Sequence, residues 1–534
     1  MKLRARLLAL FVTAALGAAT PPGVHAAPNH SKLVYPGADG KLVYAPYTPQ
    51  GDTLLDFSHC GFRGGEQTLP VAVEKIRLTP APAGDDTARI QAALDALAQL
   101  PLGPDGLRGA VVLSKGTYRV EGTLKLTASG LVLRGEGQGE AGTVLLATGT
   151  AQRTLIEIRG ASAPKTNPAR ATPITDNYVP VGARSFNIAN PAHFRVGDTV
   201  FVTRRGNAEW ISFLGMDRIG QRSDGGTVTQ WQPFNLNFDR IITAIDGHRI
   251  TVDAPIACAI ETRWGGGEVV PYRDPARIEM CGVENLRGIS AYDPKVTADY
   301  RKQFRYASDE AHAFYLVSFE HAKNSWARDL TAVHFYHGVS TILGGAKWIT
   351  VRDSTSLAPV SVITGGRRYP FNINGQLSLV LRCNSEHARH AYVLGSRVPG
   401  PNAFVFGTSV KEYGNSEPHH RWSVGGLYDN IASDIAFQDR YTMGSGHGWA
   451  GANYIAWNTR GKLVCQQPPG AQNFALGHVG EKDPGAFKRP SGYWESHGKP
   501  LEPVSLYVQQ LIDRVGQATA ARTLDRNERV AVGR

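Results

Sequence analysis

Gly84-Asp85-Asp86-Thr87-Ala88-Arg89-Ile90-Gln91-Ala92-Ala93-Leu94 is the stretch from which the fold can be read, together with the short segments that follow it. Asp85 is suited to cap a helix whose apolar positions Ile90, Ala93, Leu94 and Leu97 recur at i, i+3, i+4 and i+7, and Pro101 and Gly103 then stop it. Behind the helix the period changes. Residues 109–113, 117–120, 123–126, 131–133 and 143–146 are short apolar segments, each bounded by Gly, Ser or Lys-Gly turns, which predicts strands. An amphipathic helix at the head of such a run can cover the open end of a sheet, where unpaired strand edges would invite association.

The chain has 534 residues, whereas single cores stop growing near ~250–300 residues. Several domains or an elongated repeat must account for the excess. From Arg277 onward, apolar-x-apolar segments followed by a polar corner recur at 322–333, 347–354, 377–384, 402–409, 432–438 and 453–458. With Arg328, Arg352, Arg382 and Gly407 as equivalent corners the offsets are 24, 30 and 25, as expected for successive coils with loops of varying length. Such a core lengthens without thickening, which resolves the size problem. Residues 175–262 read differently: 199–203, and 241–245 joined through Asp246-Gly247 to 249–252, predict antiparallel strands with a hairpin turn.

At the N-terminus, Lys2, Arg4 and Arg6 precede an apolar run and then Val24-His25-Ala26, the pattern of a secretory leader over 1–26. The formal charge of +11 becomes +8 once its three basic residues are set aside. No later run approaches the ~18 apolar residues of a membrane span, so a secreted or periplasmic protein without a membrane anchor is expected. With 19% charged and 42% hydrophobic residues the chain is not a charge-rich disordered one. Its Lys and Arg are scattered rather than clustered, which argues against nucleic acid. Five cysteines, none in a C-x-x-C pair, argue against zinc modules and thioredoxin chemistry and leave room for one bridge, for which Cys258 with Cys281 is the candidate.

The quoted helix, with Gly109-Ala110-Val111-Val112-Leu113, Gly116-Thr117-Tyr118 and Leu131-Val132-Leu133-Arg134-Gly135-Glu136-Gly137, resembles the opening of pectate-lyase-superfamily right-handed parallel β-helices. The expected fold is therefore all-β: a right-handed parallel β-helix with an N-terminal capping helix and a small antiparallel β insertion. The expected organisation is leader 1–26, extended arm 27–83, capping helix and first coils 84–174, insertion 175–262, main β-helix 263–465, and C-terminal arm with a terminal helix 466–534. That entry module is shared by lyases, glycoside hydrolases and phage tailspikes, so it implies a fold more than a chemistry.

His312, His337, Arg368, His390, His420 and His447 are spaced by 25, 31, 22, 30 and 27, which is the coil period again. Residues one coil apart stack ~4.8 Å apart along a solenoid, so a column on one face is expected. Such a column suits an acidic polysaccharide, and the chemistry that needs Arg, His and Tyr together is β-elimination at a uronate. Arg neutralises the carboxylate, a base takes the neighbouring proton and an acid protonates the leaving oxygen. The expected roles are Arg368 or Arg421 on the carboxylate, His390, His419 or His420 as base, and Tyr369 or another His as acid. His312, His337, Arg367, Arg389, His447, Trp449 and Trp210 are expected to bind substrate. For Trp210, with Trp231 and Phe234, packing of the insertion is the equal alternative.

Asp309-Glu310-Ala311-His312-Ala313, Gly365-Gly366-Arg367-Arg368-Tyr369, Pro418-His419-His420-Arg421-Trp422 and Gly446-His447-Gly448-Trp449-Ala450-Gly451 together resemble a set of exported β-helix proteins of the same superfamily, and that resemblance implies an active-site face. The Trp-Ile-Asp-His and Arg-x-Pro-x-x-Arg motifs of calcium-dependent pectate lyases are absent, so no cofactor is expected and calcium has no motif behind it. A glycoside hydrolase using Asp309, Glu310, Asp353, Glu386, Glu417, Asp429, Asp434 or Asp439, and a noncatalytic glycan-binding β-helix, stay open. Gly137-Gln138-Gly139-Glu140-Ala141-Gly142 matches a dinucleotide motif but runs into another strand, so it reads as a turn. His387 and His390 in extended chain would point to opposite faces, which leaves no metal site in the reading.

Overall fold

The computed structural model describes residues 29–525; the expected leader lies outside them. The chain folds as a right-handed parallel β-helix. Parallel pairing carries Arg328 onto Arg352, Arg352 onto Leu381 and Leu381 onto Val405, so the observed coil spacings are 24, 29 and 24. The corners read from sequence are right to within two residues. A second, seven-stranded sheet stacks Leu124–Leu126, Ile156–Arg159, Tyr315–Glu320, Gly338–Ile342, Phe371–Ile373, Tyr392–Leu394 and Glu417–Pro418 in chain order.

Successive coils bend at one residue in left-handed conformation: Asp329, Asp353, Arg382, Phe406, Asn430 and Asn458, all with φ between 50° and 54°. A single such residue turns the chain sharply, and Asn and Asp tolerate it best. That is the physical origin of the polar corners. Inside the coil the core includes a ladder of aromatic rings in which Phe371 stacks on Tyr392 at 5.7 Å, and Phe404 and Tyr428 continue the contact at 5.0 Å.

The capping helix α1, Thr87–Ala98, buries Ile90, Ala93, Leu94 and Leu97 on the first coil. Each buried leucine contributes about 1.5–3 kcal/mol. Asp86 occupies the N-cap, while Asp85 accepts from the Thr87 hydroxyl at 2.7 Å. Within the arm, Glu74–Leu78 pairs in parallel with Gly109–Leu113 and so joins the first coil.

The outer face of the long sheet is covered. Leu379, Leu381, Val405, Leu427, Ile455 and Leu476 form a second core with the arm, the insertion and the C-terminal helices α3 (Leu506–Val515) and α4 (Gln517–Leu524) after a short insertion helix α2 (Ala208–Phe213). The insertion is larger than 175–262. Its antiparallel sheet takes in Lys165–Thr166, Thr172–Pro173 and Gly267–Arg273, the last lying against Thr199–Arg204. A buried charge cluster ties it to the coil: Asp239 meets Lys347 at 2.9 Å, Arg277 at 3.0 Å and the Tyr272 hydroxyl at 2.6 Å. Burial alone would raise the Asp239 carboxyl, but Lys347 and Arg277 bring it down to about 2.

The expected Cys258–Cys281 bridge is not formed. All five cysteines are free and buried, and the two belong to different cores: Cys281 lies inside the coil and Cys258 under the insertion. No helix among the described residues is long and apolar enough to cross a membrane.

Candidate functional site

The second sheet positions the site. His337, Tyr369 and His390 each stand one or two residues before one of its strands, and His419 directly follows Glu417–Pro418, the last strand. Parallel stacking therefore brings side chains from successive coils into ring contact. His337 stacks on Tyr315 at 4.5 Å and 8°, and Tyr369 lies 5.7 Å from His337, 5.1 Å from His390 and 5.3 Å from His419. His419 touches His390, His420 and His447 at 5.2, 4.9 and 5.0 Å, and His420 meets His447 at 4.8 Å.

Within this cluster runs a hydrogen-bonded chain. The Tyr369 hydroxyl and His419 Nε2 are 2.8 Å apart, and His419 Nδ1 is 3.0 Å from His420 Nδ1. Arg389 donates to the Tyr369 oxygen at 3.2 Å, and Arg440 donates to the His419 carbonyl at 2.7 Å. Arg421 borders His420 and donates to the Ser445 hydroxyl at 3.0 Å.

The histidines do not supply the positive charge expected of the column. Burial, and then the neighbouring guanidinium groups, lower His390 and His419 well below the ordinary imidazole range, His420 to about 4 and His447 to about 2. At neutral pH they are neutral imidazoles, each with one donor and one acceptor nitrogen, and the guanidinium groups of Arg389, Arg421 and Arg440 carry the charge. Burial raises the Tyr369 phenol to about 12, so it holds its proton.

Glu417 is the carboxylate within the cluster, 2.8 Å from Arg440 and 3.2 Å from His390 Nδ1. Burial lifts it to about 7 despite Arg440. His390, Glu417 and His419 bring potential metal-binding atoms within 4.8 Å of one another. Glu417 lies beside Arg440, and His390 Nδ1 is 2.5 Å from the Asn415 carbonyl, while His390 Nε2 is buried without a hydrogen-bond partner.

Several expected site residues lie elsewhere. His312 is fully buried and bonds the Ser290 hydroxyl and the Val360 carbonyl, so it holds loops together. Arg368 turns away in left-handed conformation, donates to the Ser361 carbonyl and lies over the Tyr306 and Tyr413 rings. Arg367 reaches the edge of the cluster but is held by both oxygens of Glu310, at 2.9 and 3.1 Å. Trp449 is buried in the second core, and Trp210 is buried 5.4 Å from Trp422, away from the imidazole cluster. Arg440 was missed because it falls outside both the His-rich motifs and the period. Glu417 carried a signal, since it precedes Pro418-His419-His420.

No family model and no curated protein matches the sequence. Among solved structures the chain is similar to the tailspike protein gp49 of Pseudomonas phage LKA1, at 11% identity and TM-score 0.44, over 74% of this chain and 57% of that one. It is also similar to polygalacturonase from Erwinia carotovora ssp. carotovora, at 10% identity and TM-score 0.32, over 80% of this chain and 96% of that one. A third is endo-xylogalacturonan hydrolase from Aspergillus tubingensis, at 10% identity and TM-score 0.34, with 80% and 99% covered. The chain spans less than two thirds of the phage protein's length. At these identities the likeness is one of fold alone.

Proposed function

We propose that the protein is an exported polysaccharide lyase that cleaves an acidic, uronate-containing glycan by β-elimination. The observation that carries this reading is the chain from Tyr369 through His419 to His420, flanked by Arg389, Arg421 and Arg440. β-Elimination needs a neutral base, a protonated acid and a cation for the substrate carboxylate, and each is present in that protonation state near neutral pH. In one tautomer His420 Nδ1–H donates to His419 Nδ1 and His419 Nε2–H donates to the Tyr369 oxygen. His420 Nε2 then offers a lone pair and the phenol has a proton to give.

The base removes the proton next to the carboxylate. The electron pair left behind forms the ring double bond, the bond to the glycosidic oxygen breaks, and that oxygen takes the Tyr369 proton. Proton transfer along the relay to the phenolate regenerates the acid and leaves both imidazoles in the opposite tautomer, so proton exchange with water must restore the His420 Nε2 lone pair before the next turnover. Arg389 and Arg421 stabilise the charge that develops on the carboxylate.

A hydrolase would use Glu417, whose carboxyl near 7 suits a general acid. Asp439 is not a free second carboxylate for it, being held by Arg489 at 2.6 Å and accepting from the Tyr441 amide at 2.7 Å. Incubation with a panel of polyuronates separates the readings. A rise in ultraviolet absorbance from an unsaturated uronate, lost in Tyr369→Phe, is expected. New reducing ends without that absorbance would select hydrolysis, and binding with neither signal would select a noncatalytic glycan-binding protein.

A further inference from the structure

A cavity of about 700 Å³ lies between the insertion, the N-terminal arm and the coil, with Trp422 in its wall. It is distinct from the imidazole cluster, which none of its lining residues joins. Arg204 lines it. That side chain is 2% exposed, its guanidinium lies 3.8 Å over the Trp210 ring, and its Nε and Nη1 have no hydrogen-bond partner. A buried cation without a counter-ion is costly, so such a group is normally matched by an anion.

The carboxylates of the cavity wall are engaged elsewhere. Glu261 is held by Arg263 at 2.7 Å, and Asp52 accepts from the Tyr178 hydroxyl, the Thr48 hydroxyl and the Val181 amide. Neighbouring Arg205 is paired with Glu268 at 2.6 Å, whereas Arg204 makes no ion pair among the described residues and feels Glu261, which Arg263 holds, only at longer range. At the mouth, Trp264 and Phe213 lie 5.1 Å apart, and Phe213 is 44% exposed. The remaining wall carries amides, among them Gln467 and Gln472. A flat aromatic surface, amides that can bond hydroxyl groups and one unmatched buried guanidinium define a ligand that is a polyol with a single carboxylate.

We propose that this cavity binds one acidic sugar residue, with its carboxylate on Arg204 and its ring against Trp264. The site is a binding site apart from the imidazole cluster, and it does not depend on the lyase reading.

The test is tryptophan fluorescence and calorimetric titration of the full chain with D-glucuronate, D-galacturonate, D-glucose and acetate. Saturable binding of at least one uronate is expected, with glucose and acetate weaker by about 10- to 100-fold, the size of one charge-assisted pair. Arg204→Met is expected to lose uronate binding by the same factor. Trp264→Ala, at a half-buried position, is expected to weaken it independently of any effect of Arg204→Met on folding. Tyr369→Phe leaves this binding unchanged. Absence of saturable uronate binding, glucose or acetate binding as tightly as uronate, or unaltered binding in a folded Arg204→Met protein would each overturn the proposal.

Discussion

Replacing His420 with Asn isolates the electrostatics of the imidazole cluster. Burial, followed by Arg421 and Arg440, lowers this imidazole to about 4, against about 6.5 in the unfolded chain. Between these values the unfolded state binds the proton and the folded state does not. Stability contributed by neutral His420 is therefore full above about pH 6.5 and is lost as pH falls toward about 4. Each pH unit costs about 1.4 kcal/mol, so from about pH 7.5 to 4.5 the loss is about 2–3 kcal/mol. Asn cannot titrate. The difference in unfolding free energy between wild type and His420→Asn, from urea titrations at the two pH values, is expected to shift by that amount in favour of the variant. The wild-type profile alone is less informative, because Glu417, lifted to about 7, has the opposite slope: the fold favours its neutral form and loses stability as pH rises through 7. Parallel displacement of the two curves, with no change in their separation, would refute the claim that His420 is neutral in the fold.

Tyr369→Phe removes the phenol that joins Arg389 to His419. Lyase turnover, read as unsaturated-uronate absorbance, is expected to fall about 10²–10⁴-fold, with a stability loss of about 1 kcal/mol by urea titration. Asp239→Asn leaves Lys347 and Arg277 buried without their carboxylate. It should cost about 3–5 kcal/mol and speed proteolysis within the insertion. Phe406→Asn places a tolerant residue at a left-handed corner whose aromatic ring is 37% exposed. A gain of about 1 kcal/mol is expected, read as a higher melting temperature.

The coil was legible because its period is written in apolar alternation and in polar corners: those read at Arg328, Arg352 and Arg382 lie on or next to the left-handed residues Asp329, Asp353 and Arg382. Helix α1 was legible for the same kind of reason, as Ile90, Ala93, Leu94 and Leu97 bury one face. Less could be read of the insertion's reach. The strand Gly267–Arg273 is an apolar run like those of the coil, and only its pairing with Thr199–Arg204 assigns it to the antiparallel sheet. Pairing of Cys258 with Cys281 could not be judged either, since two small buried thiols look alike whichever core holds them.

For the site, period gave position along the axis but not the direction of each side chain. Arg368 and Tyr369 are adjacent, yet the left-handed φ at Arg368 turns it toward Tyr306 and Tyr413 while Tyr369 enters the cluster. The same device acts at Arg421 and Trp422, both with φ of 57°. His419 and His420 face the imidazole cluster, whereas Trp422 lines the cavity that holds Arg204. One short segment thus supplies walls to two polar sites of different character. In one, neutral imidazoles are surrounded by guanidinium groups that set their protonation; in the other, a lone guanidinium lies on an aromatic face. A change at the backbone of 419–422 would disturb both sites. Side-chain variants separate them, since Tyr369 belongs to the first alone and Arg204 to the second alone.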